Sequence, residues 1–459
     1  MFELGISPVT KTKGLSRRRF NQTAAGAAAL MGFPYIKSAS SAGKLSIGTI
    51  DHWIPGNNAV LREICEQWGA DNGVEVTVDF ITVIGGKLVL TAQAESRAQI
   101  GHDILLMGNW GLSMFLNKLE PVNDVVEDIV AEYGPFADYA HAAGYLDGKW
   151  LGCPSPTSSI SWPLLSRLDY FQDYAGIDLQ RFFPGHSERE ASLVETWDYE
   201  LFLTAAQKLH AAGHSFGAAL SGGGNDSNQF LAALFAAYGA SMIDESGDIS
   251  VDSDATREVL EYMSRLAQYM PDGVYAWDDG SNNRHMISGV GSTTCNPPSP
   301  WAVAKRDAPH VAEKMWAHDN PRGPAGRFRT VSPAFWALWN FSNNIPAAKA
   351  LLRYVSTKDV SDKMVLASQG YDIPTVISHY QNNDYWTNAA PPTGVLYNYP
   401  GRGDEKQIIA GYPAPPQAAA LVYAQTLLPN LVARVTQGGE SFDDAINWAA
   451  NEAEVVLRG

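Results

Sequence analysis

Between residues 45 and 80 the hydrophobic period changes twice, and this alternation constrains the fold more than any other feature of the chain. Leu45–Ile50 is a short β-rich run. Over Asn57–Trp68, Val60, Leu61, Ile64, Cys65 and Trp68 share one stripe, the pattern of an amphipathic helix. Val74, Val76, Val78 and Phe80 then alternate with Glu75, Thr77 and Asp79, which is the two-residue repeat of a strand. Strand, helix and strand in so short a span predict a parallel pair joined by a crossover helix, the start of an α/β layer fold. A second helix is predicted over about Lys87–Ala98 and a strand over Asp103–Met107. A third helix follows, with Leu112, Phe115, Leu116 and Leu119 inward.

From Gly144 the texture changes. Gly148–Pro154 reads as a strand bounded by turn residues. Thr196 is placed to cap a helix carrying Trp197, Leu201, Phe202, Ala205 and Leu209. Gly222–Asp226 is a loop feeding a helix over Asn228–Tyr238, and Asp244–Asp248 reads as a hairpin tip. Asp254–Met270 is helical, with Val259, Leu260, Met263 and Leu266 inward. Residues 271–330, rich in Gly, Pro, Asn and Ser, carry no clear period. Pro346 suits the first turn of a helix, where its missing N–H costs nothing. The last sixty residues predict two amphipathic helices, the second capped by Ser441 with Asp444.

Composition narrows the function. With 459 residues, two or three domains are expected, and 45% hydrophobic against 18% charged residues excludes disorder. A net charge of −16 argues against a nucleic-acid partner, which needs a basic face. Three scattered cysteines, Cys65, Cys153 and Cys295, fit neither a disulfide scaffold nor a zinc ribbon. They are expected as buried thiols. No run of about 20 apolar residues occurs, as a membrane span would need.

The N-terminus has the order of an export signal. Ser16-Arg17-Arg18-Arg19-Phe20 precedes the short apolar stretch Thr23–Phe33, and small residues follow at Ser38–Ala42. The Ser-Arg-Arg-x-Phe pattern resembles a twin-arginine signal. Residues 1–42 are therefore expected to be removed near Ala42, which leaves an even more acidic chain in the periplasm.

The phrases that follow resemble the extracellular solute-binding proteins of bacterial ABC importers, the family that includes maltose-binding protein. Gly101–Leu105 followed by Leu119-Glu120-Pro121-Val122-Asn123-Asp124 resembles that family's strand, cleft loop and Leu-x-Pro-Leu-Asp segment. Asp147-Gly148-Lys149-Trp150-Leu151-Gly152 resembles its crossing strand. Thr196-Trp197-Asp198, Tyr238-Gly239-Ala240 with Asp244–Asp248, and Lys349–Gly370 follow in the same order. The family's Lys-Ala-Ala-Met phrase is absent; Ile287–Thr294 stands in its place. The resemblance implies an α/β two-lobe periplasmic-binding-protein fold of type II, its lobes joined by crossing hinge segments. The N-lobe would be 43–153 and 330–382, and the C-lobe 154–329 and 383–459. It further implies a monomer with a small-molecule ligand and an inner-membrane ABC permease as partners. No cofactor, no metal and no catalysis are expected.

A neutral, polyhydroxylated ligand needs flat side chains against its C–H faces and polar groups for its hydroxyls. In α/β sheets such ligands sit beyond the carboxyl ends of strands. The two loops there hold Asp51, His52 and Trp53, then Asn109 and Trp110. Trp110→Ala is expected to weaken binding at a stability cost of no more than ~1 kcal/mol. The resemblance adds Asn225, Asp226 and Gln229 at a helix start, Asn296 and Trp301, and Tyr412 near a Pro-rich segment. The expected function is capture of a small carbohydrate or polyol by hinge closure. Arg322, Arg327 and Arg329 offer an alternative, a clamp for a sulfonate, phosphate ester or carboxylate. A periplasmic hydrolase is less favoured, since His-Glu-x-x-His does not occur.

Overall fold

The parallel pair forms as the periodicity dictates. In the computed structural model, Gly43–Ile50 runs parallel to Val74–Ile81 from the Gly43–Val74 pair to the Ile50–Ile81 pair. The joining helix, Asn57–Asn72, buries Leu61, Ile64, Cys65 and Trp68. It stops at Gly73, whose φ of 69° is the left-handed conformation that glycine adopts freely. The structure describes residues 43–458 apart from 55, 186, 223–224, 382, 388–398 and 400–404. The expected export signal lies outside the described residues.

Ile104–Gly108 pairs with Gly43–Ile50 in parallel, on the edge away from Val74–Ile81. A strand from much later in the chain, Ala334–Leu338, then lies antiparallel between Ile104–Gly108 and Cys153–Pro154. All five of its residues are buried. Ala334, Trp336 and Leu338 face a core with Leu45, Ile47, Leu61 and Trp68. Phe335 and Ala337 face a second core with Trp110, Leu112 and Leu151. A strand covered on both sides shows no polar alternation, which is why its sequence reads as a plain apolar run.

A second set of strands forms the other lobe. Leu164–Arg167 pairs antiparallel with Met315–His318 and with Thr293–Cys295. Gly326–Ser332 pairs antiparallel with Ile160–Ser161 and parallel with Lys406–Ile408. The chain leaves the first sheet after Cys153–Pro154 and returns to it across Pro333, directly after Gly326–Ser332. Through this lobe runs Asn225–Tyr238, in which every residue from Asp226 to Ala237 is buried. A helix buried all round must bring its polar first turn inside with it.

The structure changes several sequence expectations. Leu112–Leu119 holds one short 3-10 turn, Gly111–Met114, and the next helix begins at Asn123. Leu112 and Leu119 are buried all the same, so burial rather than helical spacing placed them. The helix expected from Thr196 begins at Tyr199 and is capped by Asp198, which accepts from the Leu201 N–H. Thr196 ends the preceding helix, Ala191–Glu195. The helix after the glycine loop starts at Asn225 rather than Asn228. Gly148–Pro154 divides into Lys149–Trp150 and Cys153–Pro154, which join different sheets. The C-terminal stretch holds three helices, Pro416–Ala424, Leu427–Thr436 and Phe442–Arg458. Ser441 Oγ does accept from the Asp444 N–H, at 3.1 Å.

The three cysteines are free and buried. Burial pushes the Cys65 and Cys153 thiols up to about 12, so neither is a thiolate at neutral pH.

The Lys87–Ala98 helix is tied to the first sheet through Glu95. Its carboxylate meets His102 Nδ1 at 2.5 Å and accepts from the Trp339 indole at 2.9 Å. The Glu95 hydrogen bond holds the His102 imidazole above its ordinary range. A histidine raised on folding stabilises fully below its unfolded value, ~6.5. The contribution fades as pH climbs through the folded value. Melting curves should therefore fall above pH 6.5, and His102→Gln should flatten that slope. An unchanged slope would remove His102 from the account.

Candidate functional site

The first strand ends in a loop that binds itself to a distant carboxylate. His52 Nδ1 accepts the Ile54 N–H at 3.0 Å, so Nε2 carries the proton and donates to Asp372 Oδ1 at 3.0 Å. The same carboxylate accepts from Asn57 Nδ2 (3.2 Å), Thr157 Oγ1 (2.7 Å) and the Ser158 N–H (2.9 Å). Asp372 is fully buried, and four donors are what a buried carboxylate without a cation needs. Thr157 and Ser158 lie in the chain passage between the sheets, so one side chain fixes that passage against the first loop. Asp51 remains at the surface and accepts from Asn58 Nδ2 at 2.8 Å. It makes no cap for the Asn57–Asn72 helix. Trp53 is half-buried and packs with Ile54 against the cluster that contains Trp301, Met286 and Tyr371.

The loop after Ile104–Gly108 also reaches across. Asn109 takes a left-handed φ of 51°, and its Nδ2 donates to the Tyr423 hydroxyl at 3.3 Å. The Trp110 indole donates to the Ala410 carbonyl at 2.6 Å. Trp110 is only 7% exposed and belongs to the large core. Deleting such an indole exceeds the ~1 kcal/mol ceiling expected for Trp110→Ala. Trp110→Phe keeps most of the ring but not the donor, and is expected to cost about 1–2 kcal/mol in chemical denaturation. An unchanged stability would mean that the Ala410 bond adds nothing.

From the second lobe comes the polar first turn of Asn225–Tyr238. The N–H groups of Asn225 and Asp226 donate to Asp279 Oδ1 at 2.6 and 3.3 Å. A carboxylate therefore already occupies this helix start, the place where a helix would otherwise attract an anion. Gln229 Nε2 reaches Asn225 Oδ1 at 3.2 Å and the Tyr423 hydroxyl at 3.4 Å. Asp226 is held by the Asn282 carboxamide. Burial pushes the Asp226 carboxyl well above its ordinary range and raises Asp279 in the same direction. Nearby, Asn296 Nδ2 donates to Asn283 Oδ1 at 2.8 Å and to Ser299 Oγ at 3.1 Å.

The expected residues thus fall into groups. Asn109, Asn225 and Gln229 meet through Tyr423, with Asp226 in the same helical turn. His52 joins the Asp372 node. Asn296 lies in an adjoining amide cluster, and Trp301 is a packed residue with the Lys305 ammonium 4.4 Å from its ring centroid. Tyr412 stands apart, 38% exposed and bonded to Lys406 Nζ at 2.7 Å. Sequence reasoning missed Asp279, Asn282, Asn283, Asp372 and Tyr423. Asp279 was visible only as half of an adjacent acidic pair. Tyr423 sits at a helical spacing that reads as core.

The three arginines of the alternative reading have other work. Arg322 pairs with Glu195 at the surface. Arg327 donates to the carbonyls of Val194, Trp197 and Asn320 at 2.9, 3.1 and 2.6 Å. Arg329 is buried between Asp319 and Glu405. Among the described residues, no group of three or more His, Cys, Asp or Glu side chains is placed to hold a metal ion.

Comparison with known proteins agrees with this architecture. The profile of the bacterial extracellular solute-binding proteins matches residues 54–362. No curated protein matches the chain. Among solved structures, maltose-bound MalE3 of T. maritima superposes with a TM-score of 0.71 at 17% identity, over 90% of this chain and 100% of that one. A sugar transporter protein of Arthrobacter chlorophenolicus A6 with bound laminaribiose gives 0.69 at 13%, over 90% and 99%. An ABC transporter solute-binding protein of Agrobacterium radiobacter K84 in complex with ribitol gives 0.66 at 17%, over 91% and 99%. These likenesses show the two-lobe periplasmic-binding-protein fold, and the profile match covers most of the chain. The chain belongs to the bacterial extracellular solute-binding proteins, a family of binding proteins rather than enzymes.

Proposed function

We propose that this chain is the receptor of an ABC importer, and that it captures a small carbohydrate or polyol between its lobes by hinge closure. The observation that carries the reading is a pair of buried acceptors without partners, Asn109 Oδ1 and Gln229 Oε1. The Asn109 carboxamide, just past a strand of the first sheet, and the Gln229 carboxamide, on the Asn225–Tyr238 helix, both donate to one tyrosine hydroxyl. A ligand rich in hydroxyl donors supplies what they lack, and an anion would add further acceptors. The solved structures with maltose, laminaribiose and ribitol support the same class for this chain.

Closure needs no chemistry on the ligand. Contacts from both lobes favour the shut form only to the extent that the ligand binds it better than the open form. The lobes are 43–153 with 330–382, and 154–329 with 383–459. The chain passages near 155–159 and at Pro333 act as the hinge. The closed receptor is presented, as a monomer, to an inner-membrane permease after twin-arginine export to the periplasm and removal of residues 1–42.

A thermal-shift panel followed by calorimetry tests the reading. It should span sugars, polyols, amino acids, polyamines, organic acids and sulfonates. A ligand at a hundred times its Kd adds ~2.7 kcal/mol of apparent stability, so sugars or polyols should raise the melt clearly. A panel in which only anions do so would replace this reading with an anion receptor.

A further inference from the structure

At the start of the Asn225–Tyr238 helix, acceptors outnumber donors. Asp226 is 5% exposed and receives a hydrogen bond from the neutral Asn282 carboxamide. Beside it, Asp279 has one oxygen committed to two backbone N–H groups. The charged neighbours that act on Asp226 are Asp279 and Asp278, and the one that acts on Asp279 is Asp278. All three are acidic. One turn further along, the fully buried Gln229 has its Oε1 without a partner, and Asn109, just past Ile104–Gly108, has its Oδ1 in the same state. Both carboxamides touch the Tyr423 hydroxyl, so the two vacant oxygens belong to one locality.

Hydroxyls alone would satisfy the two carboxamide oxygens. They would leave the paired carboxyls without the positive charge that makes buried carboxylates tolerable. An ammonium supplies that charge along with three donors. We propose that the solute carries a protonated amine on its polyhydroxylated frame, as an amino sugar or amino polyol does. Its ammonium sits against Asp226, and its hydroxyls donate to Gln229 Oε1 and Asn109 Oδ1. This inference rests on the carbohydrate reading above and narrows it.

The other titratable groups within electrostatic reach of Asp226 are Asp278, Asp279, Cys295, Tyr371 and Tyr423. None of them brings a positive charge. Burial pushes the Asp226 carboxyl well above its ordinary range, and an ammonium set against it favours the charged form, so docking drives proton release to solvent. The heat of binding should therefore vary with the ionisation enthalpy of the buffer.

The test is calorimetry on the purified chain with matched probes: D-glucosamine against D-glucose, D-galactosamine against D-galactose, and D-glucamine against D-sorbitol. In at least one pair the amine member should bind about tenfold tighter or more, the difference between a charge-assisted and a neutral hydrogen bond. Asp226→Asn should bring the ratio within that pair close to one. Should that variant not fold, the wild-type pairs and the buffer dependence decide alone. Equal or tighter binding of the neutral members overturns the inference and leaves the carbohydrate reading standing. A preference that survives in Asp226→Asn overturns the role of Asp226. Binding of none of the six also overturns the inference, and if only amino acids or organic acids then bind, the carbohydrate reading falls with it.

Discussion

Asp372→Ala should destabilise the chain by about 4 kcal/mol, taking ~1 kcal/mol for each of the four buried donors it leaves without an acceptor. Those donors are His52 Nε2, Asn57 Nδ2, Thr157 Oγ1 and the Ser158 N–H. They come from the loop after the first strand, the helix behind it and the passage between the sheets. Losing their common acceptor frees the loop that carries Trp53 as well as the passage between the sheets. Ligand affinity should fall along with stability. Asp372→Asn keeps one acceptor oxygen but turns an amide against donors, so it should lie between wild type and alanine. Urea denaturation with calorimetry reads both effects. A cost below ~1 kcal/mol for the alanine variant would mean that the hinge is fixed elsewhere.

The second large effect is expected at Arg329. Its guanidinium lies 2.5 Å from Glu405 and 3.5 Å from Asp319, with side chains 1%, 4% and 0% exposed. Asp319 keeps a second partner, Arg189, at 2.7 Å. Glu405 keeps the Asn320 N–H at 2.8 Å. Arg329→Met fills the space but strands Glu405, and breaking a buried pair in this way costs about 3–5 kcal/mol. Replacing Arg329 and Glu405 together by Met and Leu should recover much of that loss, because it removes both charges. Sugar affinity of the folded Arg329→Met protein should change little. A collapse of affinity at unchanged stability would return the arginines to the ligand site.

What could be read in the sequence, and what could not, follows from range. The Gly43–Ile81 unit was legible because the helix and the second strand each show one apolar and one polar face. The Asn225–Tyr238 turn was reached through the family resemblance, while periodicity left Gly222–Asp226 in a loop and began the helix at Asn228. Asp372 was not, because the partners it gathers are up to 320 positions away, and Tyr423 lies 314 positions from Asn109. Periodicity reports neighbours along the chain, and these contacts join residues hundreds of positions apart. Ala334–Leu338 was hidden for a related reason, since a strand buried on both faces has no alternation to show. Trp110 misled in the opposite sense. Its loop position suggested a surface at the mouth, yet the indole fills core and bonds Ala410.

Small-angle X-ray scattering of the purified chain, with and without the sugar or polyol that shifts the melt most, asks whether two halves move toward each other around a bound guest. The radius of gyration should shrink on saturation, and the shrinkage should be lost in Asp372→Ala. Tight binding with an unchanged radius would show a receptor that does not close, and would contradict the hinge on which the account depends.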